Sequence, residues 1–295
     1  MAKSRKPFWG QFFLHLLLMC FALAAILPFL LLIIASFTSE KELMVHGYTY
    51  FPKQFSLDAY RYLFVTNLAQ IARAYGITVF VTIVGTTLSL MIGPMLAYCL
   101  SRRDYKKRRI LTFIVFFTML FNGGLVPQYM MWTQIFHIKN TLFALIFPNL
   151  LFNGFYILIM KSYFTLNIHP ALIEAAKIDG AGEFRIYRKI VMPLSLPILA
   201  TIGLMVGISY WNDWMNGLYY LTDPKLFSLQ NLLNRIHNNI RFMVEIGNVA
   251  GLTMEFPPIS IRMAMAVIGS LPIMMLYPFF QRYFVKGIAL GGVKG

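Results

Sequence analysis

The sequence predicts an all-α, polytopic membrane protein with six transmembrane helices. Three observations carry that expectation: a very apolar composition, six long runs nearly free of charge, and basic residues concentrated in alternate links between those runs. Hydrophobic residues make up 58% of the 295 and charged residues only 13%, with a mean hydropathy of +0.65. Soluble domains carry about 25% charged residues. The runs are long enough to cross a ~30 Å hydrocarbon layer as helices of about 20 residues each.

The first run, about 12–37, exceeds the h-region of a signal peptide, and no small-x-small site follows it, so it reads as a retained helix. The link after it (38–72) holds Gly47, Pro52, a possible strand Tyr48-Thr49-Tyr50-Phe51, and an amphipathic run Leu57–Ala72 expected as a surface helix. The second span is about 73–100. The third, 110–131, is interrupted near its far end by Asn122-Gly123-Gly124 and Pro127. The fourth is about 141–160, followed by a polar link, 161–195. The fifth is 196–220. The link 221–259 contains Pro224, Gly247, Gly251 and Pro257-Pro258, but its interleaved Leu226, Phe227, Leu229, Leu232, Leu233 and Ile236 argue for an amphipathic helix. The sixth span is about 260–280. Residues 1–295 read as a single membrane domain. Cys20 and Cys99 fall inside apolar spans, make no metal spacing, and are expected as small buried hydrophobes.

Lysine and arginine placement sets the orientation. The N-terminus has Lys3, Arg5 and Lys6. The link between spans two and three runs Arg102-Arg103-Asp104-Tyr105-Lys106-Lys107-Arg108-Arg109. The link 161–195 holds Lys161, Lys177, Arg185, Arg188 and Lys189, and the tail Arg282, Lys286 and Lys294. With six spans all of these fall on one side, 17 of the 26 basic residues, so both termini are expected in the cytoplasm. The net charge of +15 therefore reflects topology and contact with anionic lipid, and does not point to nucleic acid.

The link 161–195 has the most informative pattern. His169-Pro170 suits a helix start, because proline lacks an N–H that the first turn does not use. A helix is expected to Lys177 or Ile178, with Ala175 and Ala176 permitting close approach of another backbone. Asp179-Gly180 is a C-cap signal. A second short helix follows, Glu183 to Val191, with Phe184, Tyr187 and Val191 on one face and Arg185, Arg188 and Lys189 elsewhere. Pro193 and Pro197 bracket the entry to the fifth span.

Glu174-Ala175-Ala176, three residues, Gly180, nine residues, then Ile190-Val191-Met192-Pro193 is a spacing that resembles the signature of permease subunits of ATP-binding-cassette (ABC) importers. Met192 stands where Leu is common. The resemblance covers essentially the whole chain and implies the type I ABC importer permease fold in the cytoplasmic membrane of a bacterium. It makes Glu174, Ala175, Ala176, Asp179, Gly180, Ala181 and Pro193 the residues that couple to an ATPase. It implies as partners a second homologous permease, two ABC ATPase subunits and an extracytoplasmic solute-binding protein. ATP and magnesium would bind to the ATPase subunits, with no cofactor in this chain. The chain itself has no G-x-x-x-x-G-K-[ST] phosphate loop.

Trp211-Asn212-Asp213-Trp214 resembles a segment of sugar permeases. The ending Gln281-Arg282-Tyr283-Phe284-Val285-Lys286-Gly287, with Gly291-Gly292-Val293-Lys294-Gly295, resembles tails of the maltose system's second permease and its relatives, which include importers of uronic-acid-containing oligosaccharides such as alginate. Oligosaccharide is therefore the expected cargo. Aromatic faces beside hydrogen-bonding groups suit a sugar, so Tyr210, Trp211, Asn212, Asp213, Trp214 and Asn216 are candidates for the substrate pathway. An interfacial aromatic belt is the structural alternative. Two other functions stay open at this point: an ABC permease for a non-sugar solute, and a stand-alone secondary transporter. The latter would want carboxylates deep in the spans, and only Asp213 lies in one. The histidines His15, His46, His137, His169 and His237 are scattered and form no metal motif.

Overall fold

The computed structural model describes residues 8–250 and 258–291. Expectations resting on Lys3, Arg5, Lys6, Gly251, Pro257 and residues 292–295, or on the side chains of Gly247 and residues 281–291, lie outside the described residues. The helices are α1 (Phe8–Ser36), α2 (Glu40–His46), α3 (Asp58–Arg61), α4 (Asn67–Ser101), α5 (Arg108–Leu120), α6 (Leu125–Met130), α7 (Phe143–Ile146), α8 (Gly154–Asn167), α9 (Pro170–Ile178), α10 (Glu183–Ile186), α11 (Met192–Leu194), α12 (Leu196–Trp211), α13 (Met215–Tyr220), α14 (Leu229–Ala250) and α15 (Pro258–Gly291). Single π turns follow α3, α6 and α10.

Of the described helices, α1, α4 and α15 are long and apolar enough to cross a bilayer unaided, and two bent pairs bring the number to five. The third expected span is one such pair. Its helix stops at Leu120, and the chain turns through 113° before Leu125–Ile135. Gly124, at φ +86°, sits in that turn. The fourth expected span, 141–160, is not one helix. Only α7 is helical before residues 147–153, and α8 then runs past Met160 into the link expected to start there. The fifth span breaks at Asn212–Trp214 between α12 and α13.

The chain packs as two units. The first comprises residues 1–69 and 235–271. In it Ser39 caps α2, its hydroxyl accepting from the Glu42 amide at 3.4 Å. The expected strand at 48–51 is absent. Pairing is instead a single antiparallel bridge, Thr38 to Phe55, in which the Ser56 amide donates to Phe37 and the Ser39 amide to Gln54. Gly47 and Pro52 bend the intervening chain too often for a strand. The Glu40 carboxylate accepts from the amides of Ile259 and Ser260 at 2.9 and 3.0 Å and so caps the start of α15. The expected surface helix 57–72 is not separate, since α3, a π turn and α4 succeed one another without a break. Its hydrophobic positions continue straight into those of the span, so nothing ends the helix between them. Cys20 is exposed rather than buried, as is Cys99 in the second unit. Spans present apolar side chains outward as well as inward, so apolar surroundings in sequence do not locate a side chain in the core.

The second unit comprises residues 70–234 and 272–295. Here α4 and α12 pack closely, and the irregular segment between α7 and α8 lies against them. Its backbone carbonyls, outside any helical ladder, must find partners where water is absent. Side chains supply them: the Tyr210 hydroxyl donates to Ile146 at 2.8 Å, Asn216 Nδ2 to Pro148 at 3.0 Å, and the Ser89 hydroxyl to Leu151 at 2.8 Å. The expected amphipathic helix in 221–259 is present as α14, which begins with the Leu229 amide donating to the Thr78 hydroxyl at 2.8 Å.

Candidate functional site

The polar link folds as a helix–turn–helix elbow. His169 caps α9, its Nδ1 accepting from the Ala171 amide at 3.4 Å, and Pro170 takes the first helical position. The helix ends at Gly180, φ +75°. The Gly180 amide donates to Lys177 and the Ala181 amide to Ala176, the paired bonds of a Schellman cap. Ala176 is buried within the elbow while Glu174, Ala175, Asp179 and Gly180 are exposed, so only one of the two alanines faces outward. Exposed Pro193 lies in α11, and the chain turns through 80° into α12.

The expected face of the second helix needs correction. Ile186, Tyr187 and Val191 are the buried residues, and Phe184 is exposed. The π turn at Tyr187–Val191 shifts the register by one residue, which turns Ile186 inward in place of Phe184.

The two elbow helices are joined to each other and to the end of α4 by four charges. Arg102, mostly buried, donates from Nε to Asp104 at 2.8 Å and from Nη1 to Glu183 at 3.2 Å. Lys177 Nζ reaches Glu183 at 2.9 Å and Asp104 at 3.2 Å. The Tyr98 hydroxyl accepts from Arg102 at 2.7 Å and donates to Glu183 at 3.1 Å, and the Tyr98 ring packs on Tyr187. The hydrogen bond from Arg102 holds the Asp104 carboxyl well below the usual carboxylate range. Partial burial works against ionisation of Glu183, but hydrogen bonds from Lys177 and Tyr98 and the charge of Arg102 outweigh it and lower its pKa. Lys177 is raised, chiefly by its bond to Glu183. A cavity of about 320 Å³ opens beside this cluster, lined by Arg102, Asp104, Lys177 and Glu174 among others. Glu174 makes no ion pair among the described residues.

Sequence reasoning singled out Lys177, but only as a topology marker, and did not single out Tyr98 or Glu183. The charges that meet here are 73 residues apart for Asp104 and Lys177 and 81 for Arg102 and Glu183, and no local pattern links them.

The candidate pathway residues divide. Tyr210, Trp211 and Asn216 are buried, and Tyr210 and Asn216 hold backbone carbonyls of the broken segment. Asn212 and Trp214 are exposed, and Asp213 is half-buried, accepting from the Asn216 amide at 3.3 Å. Trp211 also borders a cavity of about 280 Å³ between α4 and α12, which Thr82 and Thr86 share. The buried hydroxyls of both threonines have no hydrogen-bond partner among the described residues. Buried polar groups normally have one. Threonines in an apolar run read as β-branched filler in sequence, which is why they were missed.

Known proteins resemble this chain throughout its length. Residues 77–290 match the family described as binding-protein-dependent transport system inner membrane component. The polygalacturonan/rhamnogalacturonan transport system permease protein YtcP of Bacillus subtilis (strain 168) is 40% identical over 278 residues, 94% of this chain and 96% of that protein. The arabinooligosaccharides transport system permease protein AraQ of Halalkalibacterium halodurans is 31% identical, covering 93% of each chain. Among solved structures, a bacterial ABC transporter involved in the import of the acidic polysaccharide alginate superposes with a TM-score of 0.76 at 28% identity, over 96% of this chain and 99% of that one.

Proposed function

This chain belongs to the family of binding-protein-dependent transport system inner membrane components, and from that premise we propose that it forms half of the translocation pathway of an ATP-driven oligosaccharide importer. A second homologous permease supplies the other half. Two ATPase subunits bind ATP and magnesium and receive the elbow, with Glu174, Ala175, Asp179, Gly180, Ala181 and Pro193 at or beside the contact. Both termini and the elbow face the cytoplasm. An extracytoplasmic binding protein delivers the sugar on the side of α14.

The observation that carries this reading is the elbow: a helix pair, its first helix capped at both ends, with its glutamate and one alanine exposed, braced against the end of α4. A braced element can pass on a displacement that a floppy link would absorb. Uronic-acid-containing oligosaccharides are the first cargo to test, because YtcP is named for pectic polymers and the solved relative for alginate, both acidic. Trp211, Thr82 and Thr86 combine a ring face with unpaired hydroxyls, which suits a polyol.

The assembled importer, reconstituted with its binding protein, should take up galacturonate or mannuronate/guluronate oligomers only with ATP. Uptake of neutral arabino-oligosaccharides alone would move the cargo to the neutral class. ATP-dependent uptake of an amino acid instead would defeat the sugar reading, and gradient-driven uptake by the chain alone would establish a secondary transporter.

A further inference from the structure

We propose that the cavity between the start of α5 and the middle of α8 is a binding site for the phosphate headgroup of an anionic phospholipid. The cavity measures about 480 Å³. Arg103, Arg108, Arg109 and Lys161 line it, and among the described residues no aspartate or glutamate does. Ser101, Thr112 and Thr165 add hydroxyls among the cations; those of Ser101 and Thr165 already donate to the Tyr98 and Lys161 carbonyls, and that of Thr112 keeps its proton. Lys161 spends one proton on Thr112 at 3.2 Å and has two more to donate.

The contrast with the neighbouring residue is instructive. Arg102 is fully engaged by Asp104, Glu183 and Tyr98. Arg103, Arg108 and Arg109 make no ion pair with any described carboxylate. Two of them also stand at the wrong end of a helix. α5 starts at Arg108, with Lys107 as a cap that makes no side-chain hydrogen bond and no acidic residue in the first turn. Cations at a helix N-terminus oppose the macrodipole. Four cations and a positive helix end round one cavity repel each other unless an anion sits among them. A topology signal needs basic residues near a span. It does not need them gathered round one cavity with three hydroxyls.

The apolar part of the cavity chooses between sources of phosphate. Leu100, Phe113 and Phe116 form its remaining wall, and both phenylalanines are exposed. An acyl chain covers such a surface, while a free phosphate leaves it bare. Basic cavities between helices at the inner face of a membrane suit lipid headgroups in this way. The site rests on the chain's being a membrane component with this end in the inner leaflet, and not on what it transports.

Native mass spectrometry of the detergent-purified importer, titrated with phosphatidylglycerol or phosphatidylcholine, tests the site. The intact protein should retain phosphatidylglycerol in preference. Arg108→Gln/Arg109→Gln/Lys161→Gln should weaken that retention on the order of tenfold or more, given the usual strength of such contacts. Removing three exposed charges that do not line the cavity, by Arg73→Gln/Lys139→Gln/Lys225→Gln, should not. Equal loss in both variants, or no preference in the intact protein, overturns the proposal. So does displacement of the lipid by millimolar glycerol phosphate, which would show that the acyl chain contributes nothing. If the triple variant fails to assemble, Arg109→Gln alone must still show a measurable loss, and its retaining full preference counts against the site. Sugar uptake plays no part in these readings, so they fail or succeed independently of the proposed cargo.

Discussion

Tyr210 lies so close to Gly85 that a Cβ at position 85 would fall 2.3 Å from its ring. The same side chain reaches beyond α4 to donate its hydroxyl to the Ile146 carbonyl at 2.8 Å. One residue thus sets the distance between α4 and α12 and satisfies the backbone where the fourth span breaks. It needs a glycine opposite to do both.

Gly85→Ala should therefore lower the thermal stability of the purified assembly, because overpacking costs about 1–3 kcal/mol. Gly76→Ala, in the same helix with nothing within 4 Å of the added Cβ, should not. Equal melting temperatures for the two variants would remove Tyr210 as the spacer.

At the elbow, Gly180→Leu and Glu174→Lys should abolish uptake while leaving membrane insertion intact. Leucine in the left-handed conformation costs about 1–2 kcal/mol, and a lysine would reverse the charge that the elbow presents at the proposed contact. Gly180→Asn, which tolerates positive φ, should restore most transport. Normal uptake in the Leu and Lys variants would refute the docking role.

Arg102→Ala should uncouple rather than inactivate: ATP hydrolysis persists while uptake per ATP falls several-fold. The swap Arg102→Glu/Glu183→Arg should recover part of the loss, which a merely local packing defect would not allow. The cluster should be indifferent to pH between about 5 and 9. The lowered pKa of Asp104 means that its contribution is lost only as pH falls through a value well below the usual carboxylate range, and the raised pKa of Lys177 means that its contribution is lost only in strong alkali. A coupling ratio that titrates near neutrality would place control elsewhere.

Thr82→Val/Thr86→Val separates two meanings of an unpaired hydroxyl. If the groups are only flaws in packing, valine should stabilise the protein and leave uptake alone. As sugar contacts, their loss should cost uptake about threefold to tenfold, the worth of one or two hydrogen bonds, while stability holds or rises. Radiolabelled uptake beside a thermal melt decides it.

Single cysteines at Ser101 and Gly182 should resist impermeant thiol reagents in intact cells, while one at Asn238 reacts. Labelling at Gly182 from outside would reverse the orientation and end the case for the elbow.

The sequence reading reached the elbow because its signals are local: a proline at a helix start, a glycine at its end and fixed spacing between them. It reached α14 because amphipathic periodicity is local as well. It did not see the Arg102–Glu183 contact, whose partners are brought together only when the end of α4 packs on the elbow. It took 141–160 for one span because hydropathy reports composition and not helical continuity, and the side chains of Ser89, Tyr210 and Asn216 make that break tolerable. Tyr210 and Asn216 were picked out for their chemistry. Their hydroxyl and amide are the groups that hold the break.

The first helix has a consequence for how the subunit is made. Its apolar core is unburied among the described residues of its own unit. Such a surface is covered by lipid or by another protein surface. If the second permease proposed above supplies that surface, a copy synthesised without it leaves the helix to lipid alone. Cells that overproduce this polypeptide alone should then degrade the excess, and co-expression of the proposed partner should raise its abundance.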